Sequence, residues 1–180
     1  MNMPEPESAS RRSFSTTLLV LAAAVLVGFT ILPRFGRPSH SLVGKPAPDF
    51  ALQGLTDGSD RIRLADLKGK AVVLSFWASW CGPCQIEAPS LDRLSKRMRD
   101  RNVAVIGVNT NDQPARALEF ARRGNLTYTL VHDHDSEVAE RYGVETLPTL
   151  VFIDKNGTVS AVRTGLVDEG SIEALLSAAM

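Results

Sequence analysis

The chain's only two cysteines, Cys81 and Cys84, lie two residues apart, where one kind of sequence pattern gives way to another. Before them, Ala71-Val72-Val73-Leu74-Ser75-Phe76-Trp77 is almost continuously apolar, as a strand buried on both faces must be. After them, Gln85 to Arg99 has a helical period, with Ile86, Leu91, Leu94 and Met98 assigned to one side. The pair therefore falls at the junction of a central strand and a helix, where a thiol is both exposed and activated. The first N–H groups of a helix are free, and its N-terminus carries roughly half a positive charge. A thiolate at Cys81 gains from both, so its titration is expected below the free-cysteine value of about 8.5. Cys84, a turn further in, is expected to be more buried. The three-residue spacing lets the sulfurs meet within the first turn and switch between dithiol and disulfide without unfolding the helix. Pro83 suits that turn, where its missing N–H costs nothing.

Other uses of a Cys-x-x-Cys pair fit less well. A structural disulfide closing so short a loop constrains little of the unfolded chain. Zinc wants four ligands, and only His132 and His134 are available, in an H-x-H spacing unlike the usual one. His132-Asp133-His134-Asp135 reads as a polar loop between a short strand (127–131) and a helix N-capped by Ser136, rather than as a metal site. Asp154-Lys155-Asn156-Gly157 reads as a hairpin turn, since Asn-Gly tolerates positive φ.

Taken together, the motifs resemble a thioredoxin-fold protein. More narrowly, they resemble the membrane-anchored TlpA/ResA-type thiol-disulfide oxidoreductases, relatives of the cytochrome c maturation thioredoxins. The resemblance runs from Val43 to the C-terminus. It is carried by Gly44-Lys45-Pro46-Ala47-Pro48-Asp49-Phe50, Leu64-Ala65-Asp66-Leu67-Lys68-Gly69-Lys70, Phe76-Trp77-Ala78-Ser79-Trp80 with Cys81-Gly82-Pro83-Cys84, and Tyr142-Gly143-Val144-Glu145-Thr146-Leu147-Pro148-Thr149. Two departures matter. Ser75 stands where thioredoxin has a buried proton-relaying aspartate, and serine is no base near neutral pH. Thr146-Leu147-Pro148-Thr149 differs from the Gly-Val-Pro-Glu often found in the cytochrome-maturation branch, which favours the broader TlpA/ResA label.

The resemblance implies a thioredoxin-like α/β fold, with a mixed central sheet flanked by helices. It implies that Cys81 attacks a substrate disulfide and that Cys84 resolves the mixed disulfide. It places Pro148 in a cis peptide facing the disulfide, with Leu147 offering its backbone to an extended substrate. Sequence alone favours trans, since only about 5–6% of such bonds are cis. Glu87 continues the stripe Cys81, Cys84, Glu87 and is assigned proton exchange with Cys84 or tuning of the thiol pKa values through its charge, though an early-turn acid also simply suits the helix dipole. Trp80 is expected to shield Cys81 and offer a contact surface, Trp77 to be core, and Pro89 to kink the helix without ending it.

Residues 14–32 form an apolar, uncharged segment of 19 residues. As a helix it is roughly 28 Å long, close to a bilayer core. No small-residue cleavage signal follows Leu32, so an uncleaved signal anchor is expected, with cleavage as the alternative. The expected organisation is a disordered segment 1–13, a transmembrane anchor 14–32, a linker 33–42 and a thioredoxin-like domain 43–180. Basic residues balance on the two sides of the span and leave orientation open. The resemblance puts the domain outside the cytoplasm, on the periplasmic or outer face of a bacterial membrane, and two lone cysteines suit an oxidising space. Twenty basic and twenty acidic residues cancel, so charge gives no support to nucleic-acid binding.

The expected activity is reduction of disulfides in extracytoplasmic clients, such as apocytochrome c or another metalloprotein, by a monomer without cofactor or metal. A membrane thiol-transfer partner supplies its electrons. Two other classes are weighed against this. A copper metallochaperone would use the two thiolates, but no histidine is placed to join them. A peroxiredoxin-like peroxidase would carry Thr or Ser three residues before its reactive cysteine, and Ala78 stands there.

Overall fold

The computed structural model describes residues 20–22, 40–55 and 61–180. The chain divides into the units Met1–Pro38 and Ser39–Met180. In the first, residues 20–22 are helical. Among the described residues no helix is long and apolar enough to cross a membrane; the rest of the expected anchor 14–32 lies outside them.

The second unit is built on seven strands: β1 (Ala51–Gly54), β2 (Arg61–Arg63), β3 (Ala71–Trp77), β4 (Val103–Thr110), β5 (Thr129–Asp133), β6 (Thr149–Ile153) and β7 (Val159–Thr164). They form one mixed sheet in the order β2-β1-β5-β4-β3-β6-β7. Strands β3, β4 and β5 are parallel, while β6 runs antiparallel to β3 and β1 antiparallel to β5. Every residue of β3 is buried, as its apolar run requires. Its side chains alternate between two cores. Ala71, Val73 and Trp77 join one cluster; Val72, Leu74 and Phe76 join the other.

Four helices cover the sheet: α1 (Gly82–Met98), α2 (Pro114–Arg123), α3 (Glu137–Arg141) and α4 (Glu169–Ala179). Residues of α1, α2 and α4 pack in the first cluster and residues of α3 in the second. Helix α1 continues through Pro89 to Met98, as expected. One expectation about its buried face fails. Cys84, Glu87, Leu91, Leu94 and Met98 form the buried stripe, whereas Ile86 is 66% exposed. Five residues of helix turn through about 500°, so Ile86 points about 140° away from Leu91.

Other local expectations are corrected by side-chain hydrogen bonds. His132 and Asp133 belong to β5 rather than to a loop. Ser136 adopts a left-handed conformation (φ 58°) and makes no side-chain cap. Asp133 caps α3 instead, accepting from the N–H groups of Val138 (3.2 Å) and Ala139 (2.9 Å). In the last hairpin only Gly157, not Asn156, has positive φ. There Asp154 accepts from the N–H groups of Asn156 and Thr158, both at 2.9 Å, and the extra residue is taken up by a register shift at Phe152/Ile153. Leu42, assigned to the linker by sequence, packs against the second cluster.

Asp92 ties α1 to the segment leading into β5. Its carboxylate accepts from Thr127 N–H (2.6 Å), the Thr127 hydroxyl (2.9 Å) and Lys96 Nζ (2.6 Å). Burial alone would raise this carboxyl, but those hydrogen bonds outweigh it and hold the group below its ordinary value. Asp92→Ala is expected to cost about 2–3 kcal/mol in urea unfolding at neutral pH, because the Thr127 donors lose their charged acceptor. A loss below about 0.5 kcal/mol would place Asp92 among ordinary surface substitutions.

Candidate active site

One edge of the sheet gathers the chemistry. Trp77 at the end of β3 pairs with Asn109 near the end of β4. Phe76 pairs with Thr149 at the start of antiparallel β6, and Thr149 with Thr164 at the end of β7. The turn into α1, the loop after β4, the peptide before β6 and the loop after β7 therefore meet at the carboxyl ends of the parallel strands. Open α/β sheets place their sites there.

Cys81 and Cys84 form a disulfide with Cα atoms 5.3 Å apart. Cys81 is the N-cap of α1, and its Sγ accepts from Cys84 N–H at 3.2 Å. The expected contrast in burial is small: Cys81 is 5% exposed and Cys84 3%. The Cys81 sulfur faces its partner sulfur and the first turn of the helix.

Leu147–Pro148 is a cis peptide, as the family resemblance implied and composition did not. Its turn is held by Thr149 Oγ1 donating to Thr146 O (2.8 Å) and Gly165 N–H donating to Pro148 O (2.8 Å). Leu147 itself is half-buried and packs against the cluster containing both cysteines. Among the described residues its N–H and C=O make no backbone hydrogen bond. Trp80 is 57% exposed, with Nε1 donating to Asn111 O at 2.9 Å. Between Trp80 and Leu147 runs a groove of about 360 Å³, also bordered by Asn111, Glu140, Glu145 and Thr146.

Glu87 is 2% exposed. Its Oε1 accepts from Val167 N–H at 3.2 Å, and Oε2 is buried with no partner among the described residues. Burial pushes the carboxyl up to about 7, against a smaller opposing effect of the Val167 hydrogen bond. A surface acid placed only to suit the helix dipole would not be buried this way. Tyr128, buried nearby, has its hydroxyl pushed up by burial and by the charges of Glu87 and Asp92. Ser75, at the thioredoxin aspartate position, is 2% exposed.

Sequence reasoning missed two contributors to this edge. Val167 reaches Glu87 from 80 residues away. Asp112 binds Ser79 across 33 residues, and only its place just past a strand end hinted at a role. His132 and His134 have ring centroids 5.9 Å apart, and among the described residues no three metal-ligating side chains converge.

Comparison with known proteins agrees with this geometry. Residues 43–162 match the model of the AhpC/TSA family. The chain is 35% identical over 164 residues to the thiol-disulfide oxidoreductase ResA of Geobacillus thermodenitrificans, covering 91% of this chain and 93% of that protein. It is 34% identical over 163 residues to ResA of Bacillus subtilis, covering 90% of each. Among solved structures, a candidate thiol:disulfide interchange protein DsbE from Chlorobium tepidum superposes with a TM-score of 0.71 at 31% identity, over 79% of this chain and 99% of that one. A cysteine pair at a helix mouth, a cis-proline beside it and relatives of this length lead to one assignment: the chain belongs to the AhpC/TSA family of thioredoxin-fold proteins and is a thiol-disulfide oxidoreductase.

Proposed function

We propose that the chain is a membrane-tethered reductant of extracytoplasmic protein disulfides, with Cys81 as the attacking sulfur. The observation that carries this is the N-cap position of Cys81, whose sulfur accepts the Cys84 N–H. The same donor and the helix dipole favour a thiolate once the pair is reduced. The Cys81 thiolate attacks one sulfur of a client disulfide; that S–S bond breaks, and the departing client thiolate takes up a proton. The Cys84 thiolate then attacks Cys81 Sγ, re-forming the internal disulfide and releasing the second client thiol. Two electrons pass to the client, and a membrane thiol-transfer partner returns them.

Glu87 lies one turn beyond Cys84 on the buried stripe of α1. With its carboxyl near 7 it is poised to accept the Cys84 proton as the mixed disulfide resolves. Ser75 offers no such base. Exposed Trp80, Ile86 (66%) and Leu166 (52%) give the rim apolar contact area for a client. The free N–H and C=O of Leu147 beside cis-Pro148 suit pairing with an extended client segment. Apocytochrome c and other metalloproteins, whose cysteines must be reduced before they bind metal, fit this chemistry. The uncharged apolar stretch 14–32 is the tether, with the domain on the periplasmic or outer face.

The test is a trap. Full-length chain carrying Cys84→Ser, expressed in its native membrane, is expected to accumulate mixed disulfides through Cys81 that reductant releases. Mass spectrometry of the captured proteins names the clients. An empty trap from a folded, membrane-bound protein removes the client-reductase reading.

A further inference from the structure

The turn that delivers Cys81 is fastened from outside the cysteine motif. Asp112 Oδ2 accepts from Ser79 N–H at 2.6 Å and from Asn109 Nδ2 at 2.9 Å. Its Oδ1 accepts from the Ser79 hydroxyl at 3.0 Å and from Gln113 N–H at 2.8 Å. Ser79 is held on its other side too, since Gln85 Nε2 of α1 donates to its C=O at 2.8 Å. Beside it, Trp80 Nε1 is bonded to Asn111 O. Two adjacent residues immediately before Cys81 are thus tied to the segment that follows β4.

The cluster is backed by a polar chain whose direction is forced. Asn109 is fully buried, and its Nδ2 donates to Asp112 and, at 3.4 Å, to Trp77 O. Its Oδ1 must then accept from His132 Nδ1, 2.9 Å away, so the neutral His132 carries its proton on Nδ1. Among the described residues His132 Nε2 is buried without a partner, and burial, followed by the neighbouring His134, lowers the pKa of the ring. On the open side, Arg116, His134 and Asp135 line the depression next to Asp112.

We infer that Asp112 is a positioning residue for disulfide exchange, holding the turn 78–81 so that Cys81 stays at the N-cap of α1 when the disulfide is open. This rests on the reading of Cys81 as the attacking sulfur. In the oxidised protein a covalent bond keeps Cys81 against the first turn. In the dithiol that bond is gone; Cys81 N–H still donates to Ala78 O and Gln85 N–H to Cys81 O, both at 3.2 Å, and the ties that fasten the turn from outside the motif are those on Ser79 and Trp80. Losing it frees the sulfur to leave the Cys84 N–H, which costs both thiolate stabilisation and attack geometry. The carboxylate also places negative charge near the turn, and charge alone would oppose a thiolate. Position and charge therefore push Cys81 in opposite directions, which makes them separable.

Two substitutions separate them. Asp112→Ala removes grip and charge together. Asp112→Asn removes the charge and keeps most of the grip. Its oxygen can remain on Ser79 N–H and Asn109, its NH2 can donate to the Ser79 hydroxyl, and only the exposed Gln113 N–H turns to water. The measurement uses the reduced full-length chain: the pH profile of Cys81 alkylation by iodoacetamide, and the rate of insulin-disulfide reduction at pH 7. Asp112→Ala is expected to move the Cys81 midpoint upward and slow reduction roughly tenfold, about the effect of one charged hydrogen bond. Asp112→Asn is expected to leave the midpoint in place or lower it, with a rate within about threefold of the parent. Ser79→Ala, which deletes one donor, is expected to shift both readouts as Asp112→Ala does, by less; it decides the matter if Asp112→Ala does not fold. A lowered midpoint in Asp112→Ala would mean that the carboxylate acts by charge alone. Unchanged midpoint and rate, with only a lower melting temperature, would mean an ordinary structural pin. Either result overturns the inference. A parent chain that alkylates at Cys81 but reduces no disulfide would instead count against the proposed function.

Discussion

Cys81→Ser is expected to reduce insulin-disulfide reduction to the uncatalysed background while leaving the fold in place. The fold survives because serine is itself a favoured N-cap, able to accept the Cys84 N–H that Cys81 Sγ now accepts. The lost disulfide spans a sequence separation of three, and so short a loop adds little to stability. The chemistry does not survive, because a serine hydroxyl stays protonated near pH 7, where a cysteine at a helix N-terminus supplies a thiolate. Cys84→Ser behaves differently, since it keeps the attacking sulfur and loses the resolving one, giving at most one stalled exchange per molecule. Turbidity of reduced insulin, followed for both variants beside the parent, reads the contrast. Turnover by Cys81→Ser, or capture of clients by a variant that retains Cys84 alone, would reverse the roles of the two sulfurs.

What the chain's order reveals, and what it hides, follows the range of the interactions. Strand β3 is legible because seven consecutive residues are buried whichever face they point to. The start of α1 is legible because Cys81, Pro83 and Cys84 act on their own turn. The cis peptide before Pro148 is not legible from local preference, which favours trans; only the likeness to a family that uses it points there. Ser136 loses the cap because Asp133, three residues earlier and in β5, reaches two N–H groups of α3 at once. The hairpin at 154–157 differs from the Asn-Gly expectation because the Asp154 side chain bonds two N–H groups and leaves Gly157 alone to take positive φ. Helical spacing points to Glu87, but the hydrogen bond it accepts comes from Val167 in a distant loop. Asp112 meets Ser79 only once β3 and β4 lie side by side. Helical and strand periods describe an element's faces, and neither says which loop will close over its end.

Glu87→Gln is expected to stabilise the oxidised protein at pH 8 by up to about 3 kcal/mol and to change it little near pH 4.5. The sign follows from the direction of the shift. Burial raises the folded carboxyl from 4.5 to about 7, so between those values the folded state holds a proton that the unfolded state has released. Stability is therefore greatest below about 4.5, falls as pH rises toward 7, and is level above it. Glutamine imitates the protonated acid: its carbonyl can still accept from Val167 N–H, and its neutral amide carries no charge into a site where Oε2 finds no partner among the described residues. Urea unfolding of both proteins across this range reads the difference, and parallel stability curves would show that Glu87 does not titrate near neutrality. The same substitution bears on catalysis. A group that is half ionised near pH 7, one helical turn from Cys84, can take the resolving thiol's proton; an amide cannot. Glu87→Gln is thus expected to alter the titration of the reduced cysteines and to slow release of the client from the mixed disulfide, leaving the first attack by Cys81 less affected. A more stable protein with an unchanged cysteine titration would make Glu87 a buried acid that costs stability and moves no proton.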